Sequence, residues 1–329
     1  MLRRRSIPLA VSAALLVAFP LESRVQACAL SSTGPGGKPG MQWRTKHGFV
    51  AVNALGLDIA VDGVNKAGLA VGALLLPGFA GYQKASPADA ERAVGQPFVA
   101  SWMLSSFATV AEVKQALPGI VVFDDQVKGV SFPLHWGVHD ASGGSIVVEY
   151  VGGELRVHDN PVGVLTNSPP FDWHMTNLRN YLNLTRLNVE SLDLGGYELQ
   201  PLGQGTGLLG LPGDYTPPHR FVRTVALTYA ALPTKDASAG ANLAFHLLNA
   251  VDIPLGAVAD ESKGKKLSSD YTQWVTVRDV TNRALYFRTY DDLSVRKVEL
   301  AKLDLAASKI AHIPMAGGTG VVDVTASAK

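Results

Sequence analysis

The chain has 329 residues, 47% hydrophobic and 17% charged, with 29 Lys and Arg against 28 Asp and Glu. This composition is globular, too apolar and too balanced for a disordered chain. A net charge of +1 gives no electrostatic basis for binding nucleic acid. A single cysteine excludes an intrachain disulfide and any cysteine-cluster metal site.

Arg3, Arg4 and Arg5 precede an uncharged apolar run over residues 7–21, and Val25-Gln26-Ala27 follows. A basic start, a short apolar run and small residues three and one before a cut form a secretory signal. The run is shorter than the roughly 20 residues a membrane helix needs. Cleavage after Ala27 predicts a signal peptide over 1–27 and a single domain over 28–329, secreted or periplasmic, with no membrane span after processing. The segment removed carries four Arg and one Glu, which leaves 25 basic and 27 acidic side chains. Cys28 becomes the first residue. It is open to three readings: a stray thiol, a lipoprotein cysteine (although Val25-Gln26-Ala27 matches a lipobox poorly), or an N-terminal nucleophile. In the last, a free α-amino group with a pKa of about 7.7–8 serves its own thiol as general base.

Residues 32–40 read as loop, and residues 48–53 and 68–76 as buried strands bounded by turn residues. Between them Asp62-Gly63-Val64-Asn65 has turn chemistry. Residues 97–117 predict two short helices, the second capped by Thr109 and stopped by Pro118-Gly119. Residues 133–140 and 145–151 predict a hairpin, as do 272–279 and 284–290 across Thr281-Asn282. Residues 218–232 and 239–251 carry apolar residues at helical spacing. Strands and helices grouped in blocks predict an α+β fold.

Few short motifs survive scrutiny. Gly205-Thr-Gly207-Leu-Leu-Gly210 matches a dinucleotide fingerprint, but Leu211-Pro212-Gly213-Asp214 stops the helix that such a site needs. His135 and His139 stand four apart on a predicted strand. That puts them about 13 Å apart along one face, too far to share a metal. No other spacing suggests a metal or a cofactor, and no GxSxG elbow provides a serine nucleophile. Asn167-Ser168-Pro169-Pro170 precedes a helical stretch. Asn167 can cap that helix. If Ser168 or Asp172 caps instead, the amide is free to donate to an oxyanion.

Three stretches carry a resemblance: residues 62–69 (DGVNKAGL), residues 165–174 (LTNSPPFDWH), and residues 202–221 (LGQGTGLLGLPGDYTPPHRF), with Tyr271-Thr-Gln-Trp274 also fitting. With Cys28, they resemble the choloylglycine hydrolase family of bile salt hydrolases and penicillin V acylases, most closely its exported branch. The resemblance implies the N-terminal nucleophile fold, an αββα sandwich of two antiparallel sheets between helical layers, and hydrolysis of linear, non-peptide amide bonds without a cofactor. It makes Cys28 the nucleophile, Asn167 the oxyanion-hole amide, Arg220 an active-site arginine and Leu75 a substrate-binding position. The implied partner is a small acyl amide: a conjugated bile salt, penicillin V or an N-acyl homoserine lactone. A homo-tetramer is the assembly the family suggests.

The sequence departs from the family in two places. The family places several tens of residues, including its first two core strands and a Gly-Arg-x-Met-Asp/Glu-Trp motif, between the cysteine and the stretch matching Trp43-Arg-Thr-Lys-His-Gly48. Here only 14 residues separate Cys28 from Trp43, and neither the motif's Arg nor its acidic residue has a counterpart. The expected sandwich is therefore short of its first core strands. Leu75 stands where the bile salt hydrolase branch has Asn and the exported branch a large aromatic. An internally deleted, inactive or binding-only member of the family is the alternative reading.

Overall fold

The computed structural model describes residues 40–325 apart from 54–56, 127–128, 261–267, 306, 308–309, 318–320 and 323, together with the backbone of 15–19 and 24–26. The large sheet is built, in chain order, from β1 (Leu15–Phe19), β2 (Phe49–Val52), β3 (Asp62–Asn65), β4 (Ala70–Leu75), β5 (Leu134–His139), β6 (Ser145–Val151), β7 (Glu154–Asp159) and a C-terminal strand, Ala311–Pro314. Every pairing is antiparallel, and the spatial order is β7-β6-β5-β4-β3-β2-β1 followed by Ala311–Pro314.

The central strands are buried on both faces, which explains why residues 48–53 read as an unbroken apolar run. Phe49 and Ala51 of β2 face one core with Leu69 and Val71. Val50 and Val52 face another with Val64 and Ala70. The first core is closed by two helices, α1 (Val99–Ser106) and α2 (Val110–Ala116). All eight residues of α1 are buried, so its serines must find partners. Ser101 Oγ accepts from Ala60 N at 2.9 Å, and Ser105 Oγ from Trp43 Nε1 at 2.7 Å. Thr109 caps α2 as its sequence predicts, accepting from Glu112 N at 3.2 Å.

The second core is closed by a three-stranded antiparallel sheet, β8 (Trp274–Asp279), β9 (Ala284–Thr289) and β10 (Arg296–Glu299), which contributes Leu285 and Phe287. Asp62 of β3 ties the sheets together by accepting from Thr276 Oγ1 and Arg278 Nη1 of β8. Three further helices, α3 (Phe171–Leu178), α4 (Pro217–Ala230) and α5 (Ala237–Asn249), pack in sequence, and α5 covers β8. Asp236 caps α5, accepting from Ala239 N at 2.8 Å. The order of layers, helix, sheet, sheet and helix, is the expected αββα sandwich.

Two expectations change. Asp62–Asn65 is a strand, and the turn begins at its end. Asn65 Oδ1 accepts from the N–H groups of Ala67, Gly68 and Leu69, and Nδ2 donates to Leu104 O and Phe107 O. Gly68 takes φ 98° in that turn. Gly63 suits the strand interior because a Cβ there would lie 2.6 Å from Val50 O. The second change concerns the sheet's far end, one strand in from its edge. The place between β2 and Ala311–Pro314 is filled by β1, drawn from the apolar run that reads as a leader. Leu16 is opposite Val52 on one side and Ile313 on the other. Arg24–Gln26 pairs with Gln42–Arg44.

Among the described residues no helix is long and apolar enough to cross a membrane. Among the same residues no group of three His, Cys, Asp or Glu is placed to hold a metal ion.

Candidate active site

The β5–β6 hairpin sets the floor of the site. Leu134, Trp136 and Val138 of β5 and Ile146, Val148 and Tyr150 of β6 point into the first core. Alternation therefore sends His135, Val147 and Glu149 to the opposite face, where Val147 packs with Phe171 of α3 and Phe221 of α4. The turn between the strands is organised by Asp140, which accepts from Ser142 N, Gly144 N and Val110 N at 2.9, 3.0 and 2.7 Å. Burial, the largest single influence, raises its pKa, but the Ser142 hydroxyl, donating at 2.6 Å, and then those backbone bonds hold the carboxyl below its ordinary value.

Residues 165–168 cross the top of this face without regular structure and are tied down at each residue from Thr166 to Ser168. Thr166 Oγ1 donates to Pro217 O at 3.0 Å, at the start of α4. Asn167 Nδ2 donates to Leu75 O at 2.8 Å, at the end of β4. Ser168 Oγ donates to Pro77 O at 2.7 Å. Arg220 of α4 completes the arrangement, donating from Nη2 to Asn167 Oδ1 at 2.7 Å and from Nε to Tyr215 O at 3.0 Å. Burial lowers the Arg220 pKa from its usual value, and neighbouring Arg223 adds to the effect. Arg223 anchors the loop before α4, donating to Pro212 O, Asp214 O and Ala250 O. In the same loop Asp214 bonds the His219 ring. Hydrogen bonds from Thr216 first, then His219, hold the Asp214 carboxyl far below its ordinary pKa.

Three of the four residues singled out in the sequence, Leu75, Asn167 and Arg220, thus meet in one hydrogen-bonded chain. The fourth, Cys28, lies outside the described residues, as does the cleavage point after Ala27. Asn167 is not the cap of α3. Pro170 occupies that position and offers no side-chain bond. The first helical N–H, that of Phe171, is instead taken by both oxygens of Glu149, at 3.1 and 3.3 Å.

Glu149 is fully buried. Its Oε1 also lies 2.9 Å from His135 Nδ1, and its Oε2 3.7 Å from His158 Nε2. His174 of α3 meets the Asn167 carbonyl at 2.9 Å through Nε2 and stacks on Phe221, with centroids 4.8 Å apart at 18°. Sequence reasoning missed Glu149 and His174. The available signal was the one charged residue inside the apolar strand Ser-Ile-Val-Val-Glu-Tyr-Val, across the hairpin from His135. His135 is fully buried and spends its Nδ1 on Glu149. His139 lies beside Arg278, and burial, reinforced by that cation, lowers its pKa to about 4.

Two grooves lie on other residues. One of about 540 Å³ runs along the outer side of α3 past Trp173, Asn177 and Leu182. The other, of about 330 Å³, lies against the second sheet between Asp252, Trp274 and Tyr290.

An αββα sandwich that suspends a carboxamide between a strand-end carbonyl and a guanidinium has the architecture of the N-terminal nucleophile hydrolases. The sequence matches the linear amide C–N hydrolases, choloylglycine hydrolase family, over residues 36–313. The chain belongs to that family. It is 36% identical over 253 residues, 76% of this chain and 75% of the relative, to a bile salt hydrolase/transferase of Clostridium perfringens. It is 26% identical over 298 residues, 84% of this chain and 72% of the relative, to a penicillin V acylase of Pectobacterium atrosepticum. The crystal structure of a variant of conjugated bile acid hydrolase from Clostridium perfringens superposes with a TM-score of 0.81 at 30% identity, covering 95% of this chain and 92% of that one. Penicillin V acylase from Agrobacterium tumefaciens shares the fold, with a TM-score of 0.71 at 24% identity over 92% and 83% of the two chains.

Proposed function

We propose that the chain is an exported amidase that cleaves the linear amide of a small acylated molecule through an N-terminal cysteine. Removal of residues 1–27 gives Cys28 a free amine, which takes the thiol proton. The thiolate attacks the amide carbonyl, the ammonium returns the proton to the leaving amine, and water then releases the acid from the thioester. The observation that carries this reading is the Asn167 carboxamide. One Nδ2 proton is taken by Leu75 O, which leaves the other for a developing oxyanion. Arg220 on Oδ1 polarises the amide and so strengthens that donor. A second donor converges from the strand. Ala73 N donates toward β3, to Val61 O, and Leu76 N donates the opposite way, to Pro133 O. Strand alternation therefore turns the Leu75 N–H to the side of its own carbonyl, where Asn167 sits.

The acyl group belongs to penicillin V, an N-acyl homoserine lactone or a conjugated bile salt, the classes the family resemblance carries. Export is the proposed location, supported by the leader-like pattern of residues 1–27. A homo-tetramer is the proposed assembly, supported by the exposed apolar hairpin of Leu192, Leu194, Tyr197 and Leu199.

One observation favours the non-catalytic alternative. A chain that keeps β1 in the sheet keeps Cys28 internal and without a free amine. Cutting after Ala27 removes β1 and Arg24–Gln26, the partners of β2, Ala311–Pro314 and Gln42–Arg44. Hydrolysis of the three amide classes by the exported protein, its Cys28→Ala variant and a leader-retaining form decides between them. Turnover by the processed wild type alone supports the amidase. Absence of turnover from all three forms supports the alternative.

A further inference from the structure

We infer that Glu149 and His174 are positioning residues that fix the Asn167 carboxamide, which deepens the amidase reading and rests on it. Asn167 lies in a segment with no ladder or helix of its own. Its backbone carbonyl is held by His174 Nε2, and His174 rides on the first turns of α3. The helix start is gripped from the sheet, with the Phe171 N–H donating to both Glu149 oxygens and His135 Nδ1 meeting Oε1. A carboxylate at a helix N-terminus suits the helix dipole. A fully buried one is tolerated only when its oxygens are bonded. The line of contacts is therefore continuous: β6, through Glu149, sets α3, and α3, through His174, sets the Asn167 main chain. The Asn167 side chain then lies between Leu75 O and Arg220.

The chemistry of His174 is consistent with this role. A carbonyl only accepts, so Nε2 carries the proton. Nδ1 is buried and makes no hydrogen bond of good geometry, although the Pro169 carbonyl also lies by the ring. Burial, the largest influence, lowers the ring's pKa against the raising effect of the Asn167 and Pro169 carbonyls and of Glu149, which favours the neutral ring.

Two substitutions separate positioning from packing. His174→Phe keeps a ring against Phe221 and removes the donor. His174→Gln removes the ring and keeps a donor near the place of Nε2. Misplacing a reacting group by about 1 Å costs on the order of 100-fold. H174F should therefore lose about 100-fold in kcat with KM within about twofold, and H174Q should stay within about tenfold of wild type. Glu149→Gln should lower kcat by about tenfold at unchanged KM. The reverse order for the two His174 variants, or an E149Q change confined to thermal stability, overturns the inference.

A readout on the wild-type protein separates this inference from the amidase reading. 15N NMR at pH 7 should show the His174 ring protonated at Nε2 and bare at Nδ1. Its assignment comes from the signal lost in H174Q. A ring protonated at Nδ1 or at both nitrogens overturns the positioning role, whether or not any amide is hydrolysed. If the tautomer is as stated and wild type turns over no amide, the amidase reading fails and the His174–Asn167 contact stands.

Discussion

Asn167→Asp separates catalysis from stability at a single atom. The exchange leaves Oδ1 where it is, 2.7 Å from Arg220 Nη2, and turns a charge-assisted hydrogen bond into an ion pair. It also replaces the Nδ2 donor, 2.8 Å from Leu75 O, with an oxygen that repels that carbonyl. Loss of one oxyanion donor costs about 10²–10³ in kcat, on the order of 3 kcal/mol. A carboxylate at that point opposes the anionic transition state as well, so the expected fall is at least about 10³-fold. The stability terms oppose each other: a half-buried ion pair gains about 1 kcal/mol, and a lost hydrogen bond costs about as much. The melting temperature should then move by no more than about 4 °C. The assay is release of free amine from the acyl amide, with thermal unfolding on the same samples. An N167D protein that keeps kcat within about tenfold of wild type refutes the oxyanion role. A kcat loss that only follows a collapse in stability refutes it equally.

Asn65→Ala strips five hydrogen bonds from the turn joining β3 to β4 and from the end of α1. It should cost about 3–5 kcal/mol, read as a fall in denaturant midpoint at unchanged slope. Gly63→Ala forces a Cβ to 2.6 Å from Val50 O inside the large sheet and should cost about 1–3 kcal/mol by the same measurement. His139 has a folded pKa of about 4, below the unfolded value near 6.5. The unfolded chain therefore binds the proton first. Its contribution is whole above pH 6.5 and is lost as pH falls toward 4, by up to about 3 kcal/mol. His47 and His174 are lowered in the same direction, so His139→Gln should reduce the stability loss between pH 7 and 4.5 without abolishing it. An unchanged slope in H139Q contradicts the burial argument.

The elements legible in the sequence are those whose signals are local. Thr109 with Glu112 three residues on announces α2. The Asp140–Gly144 turn between two largely apolar runs announces the β5–β6 hairpin. The apolar residues at helical spacing over 218–232 announce α4, which starts one residue earlier at Pro217. The turn after Asn65 was read a few residues early because Asp62 and Gly63 have turn chemistry, whereas tertiary demands use them in a strand. Asp62 bonds β8, and Gly63 lets the Val50 carbonyl approach. Asn167, Arg220 and Leu75 were legible as family positions, yet their joining is a long-range fact. The bonds span 92 and 53 residues in sequence, and no window contains them. Glu149 was hidden for the same reason, since its partners come from β5 and α3.

The central claim is that Cys28 becomes an N-terminal nucleophile whose oxyanion is met by the Asn167 amide. The most direct test is the intact mass of the exported protein before and after a thiol-reactive probe at neutral pH, with hydrolysis of penicillin V followed on the same sample. The account predicts a mass beginning at Cys28, fast single labelling and release of the acid, all abolished by Cys28→Ala. A protein that retains residues 1–27, or whose Cys28 labels no faster than a free thiol with no amide cleaved, contradicts it.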